Sequence, residues 1–281
     1  MACFQILSDL HLETPNAYDQ FRVRPQAPYL ALLGDIGEVK DDGLFLFLET
    51  QLRQFHTVFF LLGNHEPYGS DWATTTERLA AFSAFVDERR AYEAQQPQQE
   101  PPLHPFGQFV FLNRTRYDVS PDVTVLGCTF YSRVTLRQKK QVSFGLNDFF
   151  HIQGWTVEKH SVCHEADRAW LNEQVSQIAA QESRRSIVIF THHSPSVVAD
   201  AVDPRHANSV ISSGFATDMS GELCWENPCV KPWAFGHTHH NCDFTEERTG
   251  KRVVANQRGY YHAQAQVFNP FFVARVGLIL E

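Results

Sequence analysis

A chain of 281 residues with a 43% hydrophobic fraction can bury a large core, is too apolar for disorder, and has a length that suits one large α/β domain over 1–281. Its formal charge of −8, from 24 basic and 32 acidic residues, argues against a surface for long nucleic acid, but not against a small phosphoester held by metal ions, whose local charge outweighs the net value. No leader-like segment precedes Asp9, and no apolar run approaches the roughly 18 residues of a membrane span, so the chain reads as unsecreted, cytoplasmic and without a membrane partner.

Short apolar runs bounded by turn residues predict buried strands at CFQIL (3–7), YLALL (29–33) and VFFLL (58–62). VTVLGCTF (123–130), SIVIF (186–190), PWAF (232–235), RVVA (252–255) and FFVARVGLIL (271–280) come next. Helical periodicity is read over DGLFLFLETQLRQF (42–55) and over HEADRAWLNEQVSQIAAQ (164–181). A third helix is read from Thr74, with a Thr74/Glu77 capping box and a buried face of Leu79, Phe82, Phe85 and Val86, to about Gln95. QQPQQEPPLHPFG (95–107) has the composition of a surface loop. Strand and helix alternate in the first half, as in parallel βαβ units, whereas turns such as ERTGKR (247–252) suggest antiparallel pairing towards the C-terminus. The six cysteines are scattered. Cys224 and Cys229 are close enough to bridge, but no second pair lies nearby to make a zinc knuckle, and free thiols are the preferred reading.

Five of these strands end in the same way. CFQIL runs into Asp9 and His11, YLALL into Asp35, VFFLL into Asn64 and His65, SIVIF into His192 and His193, and PWAF into His237, His239 and His240. Any one of these residues alone is more often a cap, a turn former or a satisfied core group. Five strand ends delivering carboxylate, amide and imidazole to one edge make a metal-ligand set of mixed oxygen and nitrogen donors. If the strands continue extended, a period of two puts Asp9 with His11, and His237 with His239, on one side. Gly34, Gly63 and Gly236, each just before a candidate ligand, would allow sharp turns and close backbone approach.

DLH (9–11), GD (34–35), GNHE (63–66), THH (191–193) and GHTH (236–239) stand in the order of the calcineurin-like metallophosphoesterase superfamily, which the sequence resembles over residues 9 to 239. TVLGCTFYSRV, LNDFFHIQGW (146–155), HEADRAWL and VVANQRGY (253–260) are similar to its single-domain, less characterised branch. The resemblance implies an α/β fold of two mixed sheets packed as a sandwich and flanked by helices (αββα), with a dinuclear metal centre at the strand C-termini. It implies Asp9, His11 and His239 as ligands of one metal, Asn64, His192 and His237 as ligands of the other, Asp35 as the bridge, and His65 as the catalytic histidine. His192 is preferred to His193 because it comes first after its strand; His193 is then a supporting or a substrate-facing residue. Manganese, iron, zinc or cobalt would suit the donor set.

Protein phosphatases of the superfamily carry an Asp-Arg-Gly after Gly-Asp and an arginine before Gly-Asn-His. Here the first stretch is GDIGEVKDDG and the second position is Leu62. Purple acid phosphatases carry a ligand tyrosine where this chain has Glu38. The missing arginines favour a diester over a dianionic monoester, and a cyclic or small nucleotide is the expected substrate. A phosphomonoesterase or protein phosphatase is the alternative, with a nuclease and a non-catalytic interaction scaffold ranked after it. The implied chemistry is in-line attack by a hydroxide shared between two metals about 3.5–4 Å apart. His65 would assist the leaving group, and Glu66 would either orient His65 or cap the next turn. FGLNDFFHIQGW would offer either stacking surfaces or a core-packing loop, and His206, Arg258 and His262 are further candidates for substrate contact.

Overall fold

The computed structural model describes residues 1–95 and 105–277. The Gln/Pro-rich stretch, apart from its two ends, and positions 278–280 of the last expected strand lie outside them. The N-terminal half supplies β1 (Ala2–Leu7), β2 (Tyr29–Leu33), α1 (Asp42–Leu52), β3 (Thr57–Leu61), α2 (Trp72–Gln95), β4 (Gln108–Phe111), β5 (Thr115–Ser120) and β6 (Val123–Gly127). It continues through α3 (Lys139–Gly145), α4 (Asp148–His151), α5 (Val157–Gln181), β7 (Ser186–Phe190), α6 (Leu223–Glu226) and β8 (Val230–Phe235). The chain then forms β9 (Cys242–Thr245), β10 (Arg252–Ala255), β11 (Gly259–Tyr260), β12 (Ala263–Gln264) and β13 (Val273–Val276).

Two sheets carry the fold. One has the order β13-β1-β2-β3-β4, the other β5-β6-β7-β8-β10-β9. In each, the inner strands are parallel and an antiparallel strand closes an edge: β13 on β1, β5 on β6, β9 on β10. The expected antiparallel character of the C-terminal region therefore holds for β9 and β13, whereas β10 lies parallel to β8. The near-continuous apolar runs arise from burial on both faces. In β2, Ala31 and Leu33 face the second sheet with Phe4, Phe59, Val188, Phe190 and Ala234, while Leu30 and Leu32 face α1 and α2 with Val58, Phe60, Phe47 and Leu79. Leu171, Val175 and Ile178 of α5 cover the outer face of the second sheet against Ile187, Ile189 and Trp233. The result is the αββα sandwich.

Some local expectations shift. The first turn of α2 is capped by Asp71, whose carboxylate accepts from Thr74 N at 3.0 Å and from the Thr74 hydroxyl, so Thr74 sits inside the helix and is not its cap. Phe85 is largely exposed, because Thr75, Leu79, Phe82 and Val86 already fill the contact stripe. The helix read from His164 begins two turns earlier, at Val157, where the Thr156 side chain accepts from Lys159 N. β4, β5 and β9, short and mostly half-polar, were not anticipated as strands. All six cysteines are free, and no described helix is long and apolar enough to cross a membrane.

The inner stripe of α5 is unusually polar: His160, His164 and Asp167 are buried there. Burial, then the proximity of His164, pushes His160 down to about 3. A histidine whose folded pKa lies below its unfolded value of 6.5 leaves the unfolded chain binding more protons, so stability falls as pH drops from 6.5 towards 3. Between pH 6.5 and 5 this group alone is expected to cost about 2 kcal/mol. Urea unfolding of wild type and His160→Asn across pH 5–7.5 checks it: the variant should lose less stability on acidification.

Candidate metal centre

The parallel strands end nearly flush. Leu7 pairs with Leu32 in one sheet and Phe190 with Ala234 in the other, so five loops leave the sandwich at one rim. The ladder carries on into these loops: Asp9 N donates to Gly34 O and His11 N to Asp35 O, each at 3.0 Å. The segments are not extended strands, however. Asp9, His11, Asp35, His237 and His239 all have positive φ, between 46° and 71°. The side chains converge because left-handed residues alternate along tight turns, not because a strand has a period of two. Non-glycine residues in this region cost of order 1–3 kcal/mol each and occur where surrounding structure holds them for a function.

Two glycines let the loops meet. A Cβ on Gly63 would lie 2.2 Å from Asp35 Oδ1, and one on Gly34, whose φ is +85°, 2.5 Å from both Gly63 N and His192 Nδ1.

Three groups of side chains present ligand atoms within 4.8 Å of one another: Asp9, His11 and His239; Asp35, His192 and His237; and His11, Glu13 and His65, in which Glu13 accepts from both imidazoles, so the first two are the candidate metal sets. In the first, His11 Nε2 is 3.1 Å from His239 Nε2, which is 3.3 Å from Asp9 Oδ1. In the second, His192 Nε2 is 3.5 Å from Asp35 Oδ2 and 3.0 Å from Asn64 Oδ1, which brings Asn64 into the set. Asp35 Oδ2 is also 3.9 Å from His11 Nε2, so this carboxylate stands between the two sets. His237 contributes a buried Nε2 with no hydrogen-bond partner, while its backbone N–H donates to the Asp9 carboxylate at 3.0 Å.

The outer contacts set the tautomers. His11 Nδ1 and His65 Nδ1 both lie 3.1 Å from Glu13 Oε1, an acceptor, so each donates there; His11 then turns Nε2 towards His239, and His65 turns Nε2 towards the Tyr260 hydroxyl. His192 Nδ1 donates to Leu33 O at 2.9 Å. A neutral His192 then points a lone pair at the oxygens of Asn64 and Asp35 with no proton between them. A cation resolves that arrangement, as it does the facing nitrogens of His11 and His239, and the N/O donor set suits a transition metal.

In the metal-free protein, protons do part of this work. Burial opposes charge on His192, but the Asp35 carboxylate pushes it up to about 10. His65 is raised to about 9 against its burial by Asp35 and Glu13. Burial likewise opposes ionisation of Glu13, yet His11 and His65 hold it down at about 2. His237, buried and beside the His192 charge, falls to about 3 and stays a neutral donor.

Glu66 takes neither role considered for it. Its carboxylate is fully buried and accepts from Gly63 N at 2.7 Å, Ile36 N at 2.8 Å and Asp35 N at 3.1 Å, tying the second loop to the third. These amides have no strand partner beyond the sheet rim, and the carboxylate supplies what the ladder no longer can. His65 is oriented by Glu13 instead. In Glu66→Gln one amide end would face an N–H donor, and the variant is expected to lose about 2–4 kcal/mol of stability, measured by urea unfolding.

Of the further candidates, His193 is fully buried behind His237, with ring centroids 4.1 Å apart, and does not face solvent. Arg258 donates to Leu10 O at 2.9 Å and lies over the Phe21 ring. His206 is exposed on the short turn Pro204–His206. His262 is exposed and stacks on Tyr260 at 5.9 Å, nearly parallel. Tyr260 itself approaches His65 Nε2 at 3.3 Å through its hydroxyl and packs on His11 and His239. On the other side Tyr68 stacks on His65 at 4.2 Å and on His151 at 5.1 Å, so FGLNDFFHIQGW adds an aromatic surface beside the site through His151, while Trp155 packs on Trp72 and Tyr131. Leu62 is buried against the α1/α2 layer. Sequence reasoning missed Glu13, Tyr68, Asp148, Gln257 and Tyr260. Glu13, two residues after His11 in DLHLE, was the one with a usable signal.

The calcineurin-like phosphoesterase family matches residues 4–241. An uncharacterized protein of Acanthamoeba polyphaga mimivirus is 27% identical over 290 residues, covering 96% of this chain and 95% of that protein. Among solved structures, phosphopantetheinyl hydrolase from Mycobacterium tuberculosis shares the fold with a TM-score of 0.61 at 16% identity, over 93% of this chain and 90% of that one. With the family match spanning most of the sequence and two His/Asp sets at the strand rim, the chain belongs to the calcineurin-like phosphoesterase family and is a metal-dependent phosphoester hydrolase.

Proposed function

We propose that this protein, as one domain, hydrolyses phosphodiesters, with cyclic or other small nucleotides as the substrate class. Asp9, His11 and His239 would hold one metal and Asn64, His192 and His237 the other, with Asp35 standing between the two sets. Two ions of the Mn, Fe, Zn or Co kind, when bound, supply Lewis-acid charge and an activated water as nucleophile. Glu13 fixes His65 with Nε2 outward, where it gives a proton to the leaving oxygen. Gln257 accepts from His239 N at 2.6 Å and donates to His240 O, holding the last ligand loop in place.

The observation that carries the diester reading is the absence of the two phosphate-gripping arginines from the motifs: Leu62, buried under the α1/α2 layer, stands at one of their positions and GDIGEVKDDG at the other, while Arg258 donates to Leu10 O and lies over Phe21. A dianionic terminal phosphate needs such cations beyond the metals, and a diester monoanion needs fewer. The nucleotide reading is supported by the two ring stacks, Tyr68 with His151 and Tyr260 with His262, which flank His65 and suit a planar base. His262 is the substrate contact this reading prefers, Arg258 steadies the Leu10 segment, and His193 backs His237.

The test is steady-state hydrolysis by metal-loaded protein of p-nitrophenyl phosphate, bis-p-nitrophenyl phosphate, and a panel of 3′,5′- and 2′,3′-cyclic nucleotides beside linear diesters. A kcat/KM for diesters at least about tenfold above the monoester is expected. A monoester preference would return the reading to a phosphomonoesterase or protein phosphatase. Metal uptake without turnover of any of them would favour a scaffold.

A further inference from the structure

We propose that Asp148 is a positioning residue that fixes the direction of the Asn64 amide and thereby completes the metal site to which Asn64 belongs. The proposal rests on Asn64 being a ligand of that site. A carboxamide has two ends of nearly the same shape and opposite hydrogen-bond sense, and only the oxygen end can hold a cation. Something must therefore decide which end faces His192.

The structure provides one group that can. Asp148, at the start of α4, is 3% exposed, and its Oδ1 lies 2.8 Å from Asn64 Nδ2. The Tyr68 hydroxyl donates to the same Oδ1 at 2.7 Å and lies 3.3 Å from Asn64 Nδ2. Oδ1, which already accepts the Tyr68 hydroxyl, is the accepting oxygen of this carboxyl, so it selects the NH2 end of Asn64 and leaves Asn64 Oδ1 facing His192 Nε2 at 3.0 Å. With the amide reversed, two oxygens would meet at that 2.8 Å separation and an N–H would point into the ligand set. Tyr68 also stacks on His65, so the contact that orients the ligand amide also shores up the neighbouring imidazole. Neither Asp148 nor Tyr68 belongs to a His/Asp set that could itself hold an ion.

Calorimetric titration of the metal-free full chain with Mn²⁺ alone tests this, using wild type, Asp148→Ala, Asp148→Asn, Asn64→Ala and the Asn64→Ala/Asp148→Ala double variant. Wild type should take up two ions. Asp148→Ala should weaken one of them by about 10–100-fold and leave the other within about threefold, with Asp148→Asn in between. In the Asn64→Ala background, removing Asp148 should add nothing, because its effect runs through that amide. Two unaltered ions in Asp148→Ala, or an undiminished Asp148 effect without Asn64, would overturn the proposal. If Asp148→Ala fails to fold, Asp148→Asn and Tyr68→Phe carry the same comparison, and wild-type affinities in both would overturn it. Fewer than two ions in wild type would instead bring down the dinuclear reading on which the proposal stands.

Discussion

Asp35→Asn is expected to abolish tight binding of both metals and to lower turnover by about 10³-fold or more. The substitution keeps the size of the side chain and removes its charge. Asp35 stands between the two sets, 3.5 Å from His192 Nε2 and 3.9 Å from His11 Nε2, and its other oxygen accepts from His65 N at 2.8 Å. Burial works against ionisation here, yet the charges of His192 and His65 hold the Asp35 carboxyl well below the usual carboxylate range. A neutral amide cannot balance two cations, and its NH2 would point either at the His65 N–H or into the imidazoles. Metal analysis after gel filtration, paired with rates at saturating Mn²⁺, reads both effects. A variant that retains two ions would show that the bridging assignment is wrong.

His65→Ala is expected to bind both metals as wild type does while kcat falls by about 10²–10⁴-fold. The ring packs edge-on against His11, with centroids 4.4 Å apart, but hydrogen-bonds to no ligand side chain: Nδ1 goes to Glu13, which still accepts from His11 Nδ1 without it, and Nε2 to the Tyr260 hydroxyl, while the Asp35 contact comes from the backbone N–H, which alanine keeps. The loss should depend on the leaving group. A p-nitrophenolate departs without a proton and should show the smaller defect, whereas an alkoxide leaving group such as a ribose oxygen needs the proton and should show the larger one. Equal losses on both would assign His65 to stabilising the phosphoryl charge and not to protonating the leaving oxygen. An unchanged rate on both would remove it from the mechanism.

Much of this architecture was legible beforehand. YLALL and SIVIF match β2 and β7 residue for residue, because a strand buried on both faces leaves an uninterrupted apolar run bounded by polar residues. The short strands β5 and β9 were not legible. Tyr117 and Phe244 sit among half-exposed neighbours, and what makes these segments strands is pairing with β6 and β10. The start of α2 was misplaced for a related reason: Thr74 and Glu77 have capping-box spacing, but Asp71 lies three residues earlier and reaches the free amide first.

The sequence by itself determined which candidate donors reach the site and where each leaves its strand. Asp9, His11, Asp35, Asn64, His192, His237 and His239 each come just after an apolar run, and parallel strands carry their C-terminal neighbours to one rim. Only the tertiary structure decided how those donors are aimed. Glu13 sets the tautomer of His65 across 52 residues, Asp148 faces Asn64 across 84, and Tyr260 meets His65 across 195. Glu66 gave up both of its local roles to tie the Asp35 loop to its own. The physical reason is the same in each case. Local pattern fixes the hydrophobic face and the strand end, whereas the direction of a buried amide, imidazole or carboxylate depends on hydrogen-bond partners that come close only when the two sheets have packed.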